Sequence, residues 1–188
     1  LHGWESVSTA WSNDRELLLA FGAEVNLLLP PEKETTVGML ETYANQNCVK
    51  NVIVELAPQN QLEPNVVNMG ERGVFNVLRL MDMLQEELDL PDTQYIFQQG
   101  NENLIEADAE GICEPLVSAG DWVDANQLVA RFWNLDNMAN PRALRAPNAG
   151  VVFNICRLPL GEDMASSCMV NAGDKLALIK TNPETIRN

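Results

Sequence analysis

The sequence is short of basic residues. Lys and Arg together number 12 against 27 Asp and Glu, a formal net charge of -15. Nucleic acids and anionic membrane surfaces both demand clustered cations to neutralise phosphate, so neither is an expected partner. Long apolar runs are also missing. Leu17-Leu18-Leu19-Ala20-Phe21 and Leu27-Leu28-Leu29 are core-sized, well below the roughly 18 to 20 residues that span a bilayer. No basic start leads into an apolar signal core, so export is not indicated and a cytoplasmic location is expected. There are 4 Cys and 1 His, with no Cys-x-x-Cys pair. That excludes a thiolate zinc site and a disulfide-dense scaffold, and the expectation for Cys48, Cys113, Cys156 and Cys168 is reduced, mostly buried thiols. No Gly-x-Gly-x-x-Gly or Gly-x-x-x-x-Gly-Lys loop is present to cradle a phosphate, and no Gly-x-Ser-x-Gly elbow to expose a serine nucleophile.

What is present suits a folded protein. At 188 residues, 46% hydrophobic and 21% charged, the chain can bury a core of one domain, or of one plus a small second. Its first hundred residues alternate helix and strand. Asn13 or Asp14 is placed to cap a helix from Arg15 that carries Leu17, Leu18 and Phe21 and stops at Gly22. Glu24 to Leu29 reads as a strand closed by Pro30-Pro31. Thr35 or Thr36 then caps a helix with Val37, Leu40, Tyr43 and Ala44 at helical spacing. Val52-Ile53-Val54-Glu55-Leu56 is apolar on both faces, as in a buried parallel strand. After Glu63-Pro64 the positions Val74, Val77, Leu78, Met81, Leu84 and Leu88 predict one long helix, with Gly73 an unfavourable residue inside it. This order implies an α/β domain with a helix-covered parallel sheet.

The pattern changes after Pro91. Short strands separated by Gly, Asn, Asp and Pro predict a small all-β sandwich or barrel. Val117-Ser118-Ala119-Gly120-Asp121-Trp122-Val123 is echoed by Val170-Asn171-Ala172-Gly173-Asp174-Lys175-Leu176, each with Gly-Asp in a tight turn. The expected division is residues 1–99 and 100–188.

Two residues stand out as chemistry. Glu55 closes an otherwise apolar strand, and in open α/β sheets functional groups gather at the carboxyl ends of parallel strands. It suits a general base, or a solvated strand-end carboxylate. His2-Gly3-Trp4-Glu5 has a His-x-x-Glu spacing, yet a catalytic zinc takes three protein ligands and there is no second histidine. The tryptophans lack basic neighbours and suit core or interface packing. Of the cations Arg15, Arg72, Arg79, Arg131, Arg142 and Arg145, none is assigned to a pocket.

In order along the chain, Leu1-His2, the strand Val52-Ile53-Val54-Glu55-Leu56, and residues from about Glu110 to Ile179 resemble the succinylglutamate desuccinylase and aspartoacylase family of zinc-dependent deacylases, which is related to zinc carboxypeptidases. Within the last stretch the resemblance includes Ala119-Gly120-Asp121, Ala146-Pro147-Asn148-Ala149-Gly150 and Gly173-Asp174. The resemblance implies that residues 1–99 are the C-terminal part of a zinc-carboxypeptidase-like mixed sheet with helices, and that 100–188 is a β-rich C-terminal domain. It implies that His2 is the last of three zinc ligands, that Glu55 is the catalytic base, and that the other ligands and the substrate-binding arginine segment precede Leu1. Glu5 is not a ligand under this alignment. Glu55 is followed by Leu-Ala-Pro where the family usually has a glycine-rich turn. The implied activity is hydrolysis of an N-acyl amino acid or C-terminal peptide with one Zn2+ per complete site. An oligomer of identical chains stays open, as does the alternative of a catalytically incomplete relic or scaffold with the same fold. The C-terminal half also resembles a biotinyl or lipoyl carrier domain, but such a carrier displays a lysine between its two halves. After residue 100 only Lys175 and Lys180 are available.

Overall fold

The structure, a computed structural model, describes residues 6–11, 14–29, 39–56, 64–156 and 169–188. In chain order the elements are β1 (Ser6–Trp11), α1 (Arg15–Phe21), β2 (Val25–Leu29), α2 (Leu40–Gln46), β3 (Ile53–Leu56), α3 (Pro64–Leu80), β4 (Thr93–Gln98), β5 (Glu102–Glu106), β6 (Gly111–Pro115), β7 (Trp122–Val123), β8 (Leu128–Asn134), β9 (Arg142–Arg145), β10 (Gly150–Ile155), β11 (Met169–Val170), β12 (Lys175–Lys180) and β13 (Glu184–Arg187). Among the described residues, those from Ser6 to Gly100, rejoined by Pro183–Asn188, form one compact unit, and those of Asn101–Asn182 the other.

The first unit is built on a mixed five-stranded sheet, order β13-β4-β2-β1-β3. Strands β1, β2 and β4 are mutually parallel, and β3 and β13 run antiparallel to them at the two edges. Helix α1 forms where the Leu17/Leu18/Phe21 spacing predicts it, burying Leu18, Ala20 and Phe21. It stops at Gly22, whose φ of 83° is open to glycine at little cost. Asp14 occupies the N-cap without a side-chain cap bond; its Oδ2 instead accepts the Asn51 backbone N–H at 3.1 Å. Asn13, Thr35, Thr36 and Val37 lie outside the described residues. In α2 the apolar positions face outward, with Leu40 82% and Tyr43 67% exposed, and Thr42 is the buried residue.

Helix α3 ends at Leu80, not near Leu88. Asp82 takes φ 56°, and the following loop is returned to the helix by Asn76. This fully buried amide donates to the Asp89 carbonyl at 2.8 Å and accepts the Asp89 N–H at 2.9 Å. Gly73 is where α1 and α3 meet. A Cβ there would overlap the Phe21 ring, 2.7 Å from Cε1 and nearer still to Cε2 and Cζ. The glycine that weakens the helix locally is thus what lets the two helices pack.

The second unit has two four-stranded antiparallel sheets, β5-β12-β10-β7 and β11-β6-β8-β9, and no helix among its described residues. Val129, Phe132 and Leu144 from one sheet and Val152, Leu176 and Ile179 from the other share a single apolar core. The repeated turns have one construction. The Ser118 N–H donates to Asp121 Oδ2 at 2.8 Å, and the Asn171 N–H to Asp174 Oδ2 at 2.7 Å. Gly120 and Gly173 sit at φ 97° and 89°. The sequence reading gave this unit the whole of 100–188, but β13 pairs with β4 in the first sheet.

The expectation of reduced thiols fails for one pair. Cys113 on β6 and Cys156 just after β10 form a disulfide inside the core. Their sequence separation of 43 conceals a Cα–Cα distance of 5.8 Å, because pairing across two sheets brings them together. Cys48 is free and exposed, and Cys168 lies outside the described residues.

Candidate active site

Glu55 lies on β3, and the position of that strand differs from the expected one. A run apolar on both faces predicts a buried parallel strand, yet β3 is an antiparallel edge strand with Glu55 and Leu56 exposed. Its apolar residues are explained by alternation. Val54 and Leu56 face α3 and line an open groove of about 590 Å³ with it, while Ile53 and Glu55 face the opposite way. The groove is therefore on the other side of the strand from the candidate base, and it is not the site of Glu55 chemistry.

The antiparallel direction also moves Glu55 to the other end of the sheet. Leu56 pairs with Ser6 and Glu55 with Val7. The carboxylate stands beside the amino end of β1, not among the carboxyl ends of the parallel strands. Among the described residues Glu55 has no hydrogen-bond or ion-pair partner, and its side chain is exposed.

His2 and Glu5 lie outside the described residues. Among the described residues no three His, Cys, Asp or Glu side chains come together as a metal site. With a single histidine in the sequence, this donor set does not fit a complete zinc centre. The cations weighed from the sequence are all engaged. Arg15 pairs with Glu184, Arg79 with Glu86, Arg131 with Glu114 and Arg142 with Asp108. Arg72 and Arg145 donate to the carbonyls of Gly22 and Asn126.

The carrier resemblance gains no support from the lysines. Lys180 is buried and paired with Glu102, over the Phe153 ring. Lys175 begins β12 beside the Gly173-Asp174 turn. Trp133 is half-buried and donates from Nε1 to Glu114 at 2.9 Å, while Trp122 is 52% exposed. What sequence reading missed is the groove, because Val74 was counted into a core stripe. The signal was the second stripe, Val67, Gly70, Glu71 and Val74, at i, i+3, i+4 and i+7.

No protein-family model matches the sequence, and no curated protein matches it. Solved structures do. A succinylglutamate desuccinylase/aspartoacylase family protein from Shewanella amazonensis SB2B superposes with a TM-score of 0.74 at 16% identity, over 98% of this chain and 53% of that one. The succinylglutamate desuccinylase/aspartoacylase from Rhodobacter sphaeroides gives 0.70 at 16% identity, over 98% and 55%. The ectoine utilization protein EutE (DoeB) from Ruegeria pomeroyi gives 0.70 at 20% identity, over 95% and 56%. This chain has the fold of the C-terminal portion of succinylglutamate desuccinylase/aspartoacylase family proteins, and spans about half the length of each of these structures.

Proposed function

We propose that this chain is the C-terminal part of a member of that family, an enzyme that hydrolyses the amide bond of a small N-acyl amino acid or a C-terminal peptide. Glu55 is its general base. The carboxylate takes a proton from an attacking water and delivers it to the departing amine, leaving a carboxylic acid and a free amine. One observation carries the reading: within a fold shared over 98% of the chain, Glu55 is paired with Val7. Val7 is five positions from His2, so the chain can hold them no more than roughly 18 Å apart. That span leaves room for His2 and Glu55, 53 positions apart in sequence, to serve one site, as the proposal requires.

One zinc ion per complete site belongs to the proposal, with His2 as this chain's ligand and the remaining ligands from polypeptide preceding Leu1. When bound, such an ion polarises a carbonyl and makes water more acidic. The described residues do not supply a ligand set, so the role of Glu55 rests on its own carboxylate and position. The excess of acid repels anionic substrates at long range and calls for a locally basic pocket. The six arginines above are held by the ion pairs and carbonyl bonds described, so none of them is assigned to such a pocket.

The test is Glu55→Gln in the protein as encoded by its own gene, assayed on a panel of N-acyl amino acids and short peptides. A loss of 100-fold or more in kcat with an unchanged melting temperature is expected, in line with roughly 10²- to 10⁴-fold for general base catalysis. Near-normal turnover removes Glu55 from the reaction. Absence of turnover in the wild-type protein favours the relic or scaffold reading.

A further inference from the structure

Besides the apolar groove, α3 borders a second pocket that is polar. Asn68, Arg72, Phe75 and Arg79 stand at i, i+4, i+7 and i+11 and so share one side of the helix. With Glu71 and Asp89 they line a pocket of about 280 Å³, near the lower end of small-molecule sites, which run from roughly 300 Å³ upward. One buried amide fixes two of its walls. Asn76 Oδ1 accepts the Asp89 N–H at 2.9 Å and an Arg79 Nη1 proton at 3.1 Å. Arg79 is further held by Glu86, which accepts from its Nε at 3.1 Å.

The remaining charges around the pocket are uncommitted. Among the described residues the Arg72 guanidinium makes one long bond, from Nη2 to the Gly22 carbonyl at 3.4 Å, and its Nε is buried with no partner. A buried N–H without an acceptor is unfavourable, and a bound acceptor relieves it. The Glu71 and Asp89 carboxylates enter no ion pair or side-chain hydrogen bond among the described residues, and neither reaches Arg72. Opposite charges lining one small space are thus held apart, Arg72 toward α1 and Asp89 by its backbone bonds to Asn76. The exposed Asn68 amide and the Phe75 ring, 42% exposed, complete the walls.

We propose that this pocket binds a free α-amino acid with an apolar side chain. Its carboxylate meets the Arg72 guanidinium, its ammonium lies between Glu71 and Asp89, and its side chain rests against Phe75. The charge pattern selects that class. Guanidinium and carboxylate form charge-assisted, often bidentate bonds, and a turn of the under-bonded Arg72 group toward the pocket presents its free N–H edge. A phosphate or a simple carboxylate would answer Arg72 but meet the repulsion of two acidic groups. An amine alone would answer the acids and leave Nε unpaired, whereas a zwitterion satisfies both. The pocket is separate from the site of Glu55, because Val54 and Leu56 turn toward α3 and Glu55 faces the other side of β3.

Titration calorimetry on the gene's own product tests the proposal, with L-leucine, L-methionine and L-phenylalanine as probes. At least one should bind. For leucine the controls are 3-methylbutylamine, which lacks the carboxylate, and 4-methylpentanoate, which lacks the ammonium. Each should bind at least about tenfold more weakly than the amino acid, the loss expected for one charge-assisted contact. Arg72→Gln and Asp89→Asn should each weaken amino-acid binding by a similar factor, and Asp89→Asn decides alone if the Arg72 variant fails to fold. Glu55→Gln should bind as the wild type does, so this readout stands apart from turnover and from the reading of Glu55. Failure of every amino acid to bind overturns the proposal. So does equally tight binding of 4-methylpentanoate or inorganic phosphate, or binding that survives the pocket variants.

Discussion

At Gly73 two effects oppose each other. Alanine in a helix gains up to about 1 kcal/mol over glycine, but its Cβ would overlap the Phe21 ring, and overpacking of this kind costs roughly 1–3 kcal/mol. The ring is wedged between α1 and α3, so sterics win. Gly73→Ala is expected to destabilise by about 1 kcal/mol in urea denaturation, and Phe21→Leu in the same chain should recover part of the loss. Asn76→Ala removes both bonds to the Asp89 backbone from a fully buried site. It should cost about 2–3 kcal/mol by the same measurement, since the groups left behind stay unpaired. From the sequence Gly73 could be read only as an unfavourable residue inside a helix, and Asn76 carried no signal. What makes them necessary, Phe21 and Asp89, lies 52 and 13 positions away.

Among the elements, the paired turns and strand β3 differ in how much sequence reveals. The Gly-Asp turns were legible because both the glycine's conformation and the aspartate's bond are local. At Gly173 nothing lies within 4 Å of an added Cβ, so Gly173→Ala costs only the positive φ, about 1 kcal/mol. At Gly150 the added Cβ would overlap the Lys180 carbonyl of the neighbouring strand. Backbone cannot step aside, so Gly150→Ala should cost visibly more than Gly173→Ala in thermal melts. Equal losses would show that the β10–β12 approach is looser than described. For β3, composition told that a strand exists and that Glu55 ends it. Direction and edge position depend on pairing with β1, a segment of Ser, Val, Thr, Ala and Trp that the sequence reading passed over. Glu55 was thus legible as a candidate, whereas its place beside the start of β1 was not.

At the scale of the molecule, the Cys113–Cys156 bond closes a 43-residue separation in the β unit, which in the chain-entropy view is worth about 4 kcal/mol. Reductant should therefore lower the melting transition of that unit markedly, and Cys113→Ala should do the same without reductant. A reductant-insensitive transition would mean that the bond adds nothing. Spacing alone could not predict the pair. The two-part organisation was legible from the change of pattern after Pro91, although the return of β13 to the first sheet was not, since a four-residue strand carries no address. Under the proposed function the site draws on Glu55 and His2 and on polypeptide outside this chain, which covers about half of its structural relatives. The measurement closest to that claim is a native mass spectrum of the protein made from its own gene. The account predicts a mass well above the 20.8 kDa of this chain, with one zinc ion bound. A 20.8 kDa species without metal would contradict it.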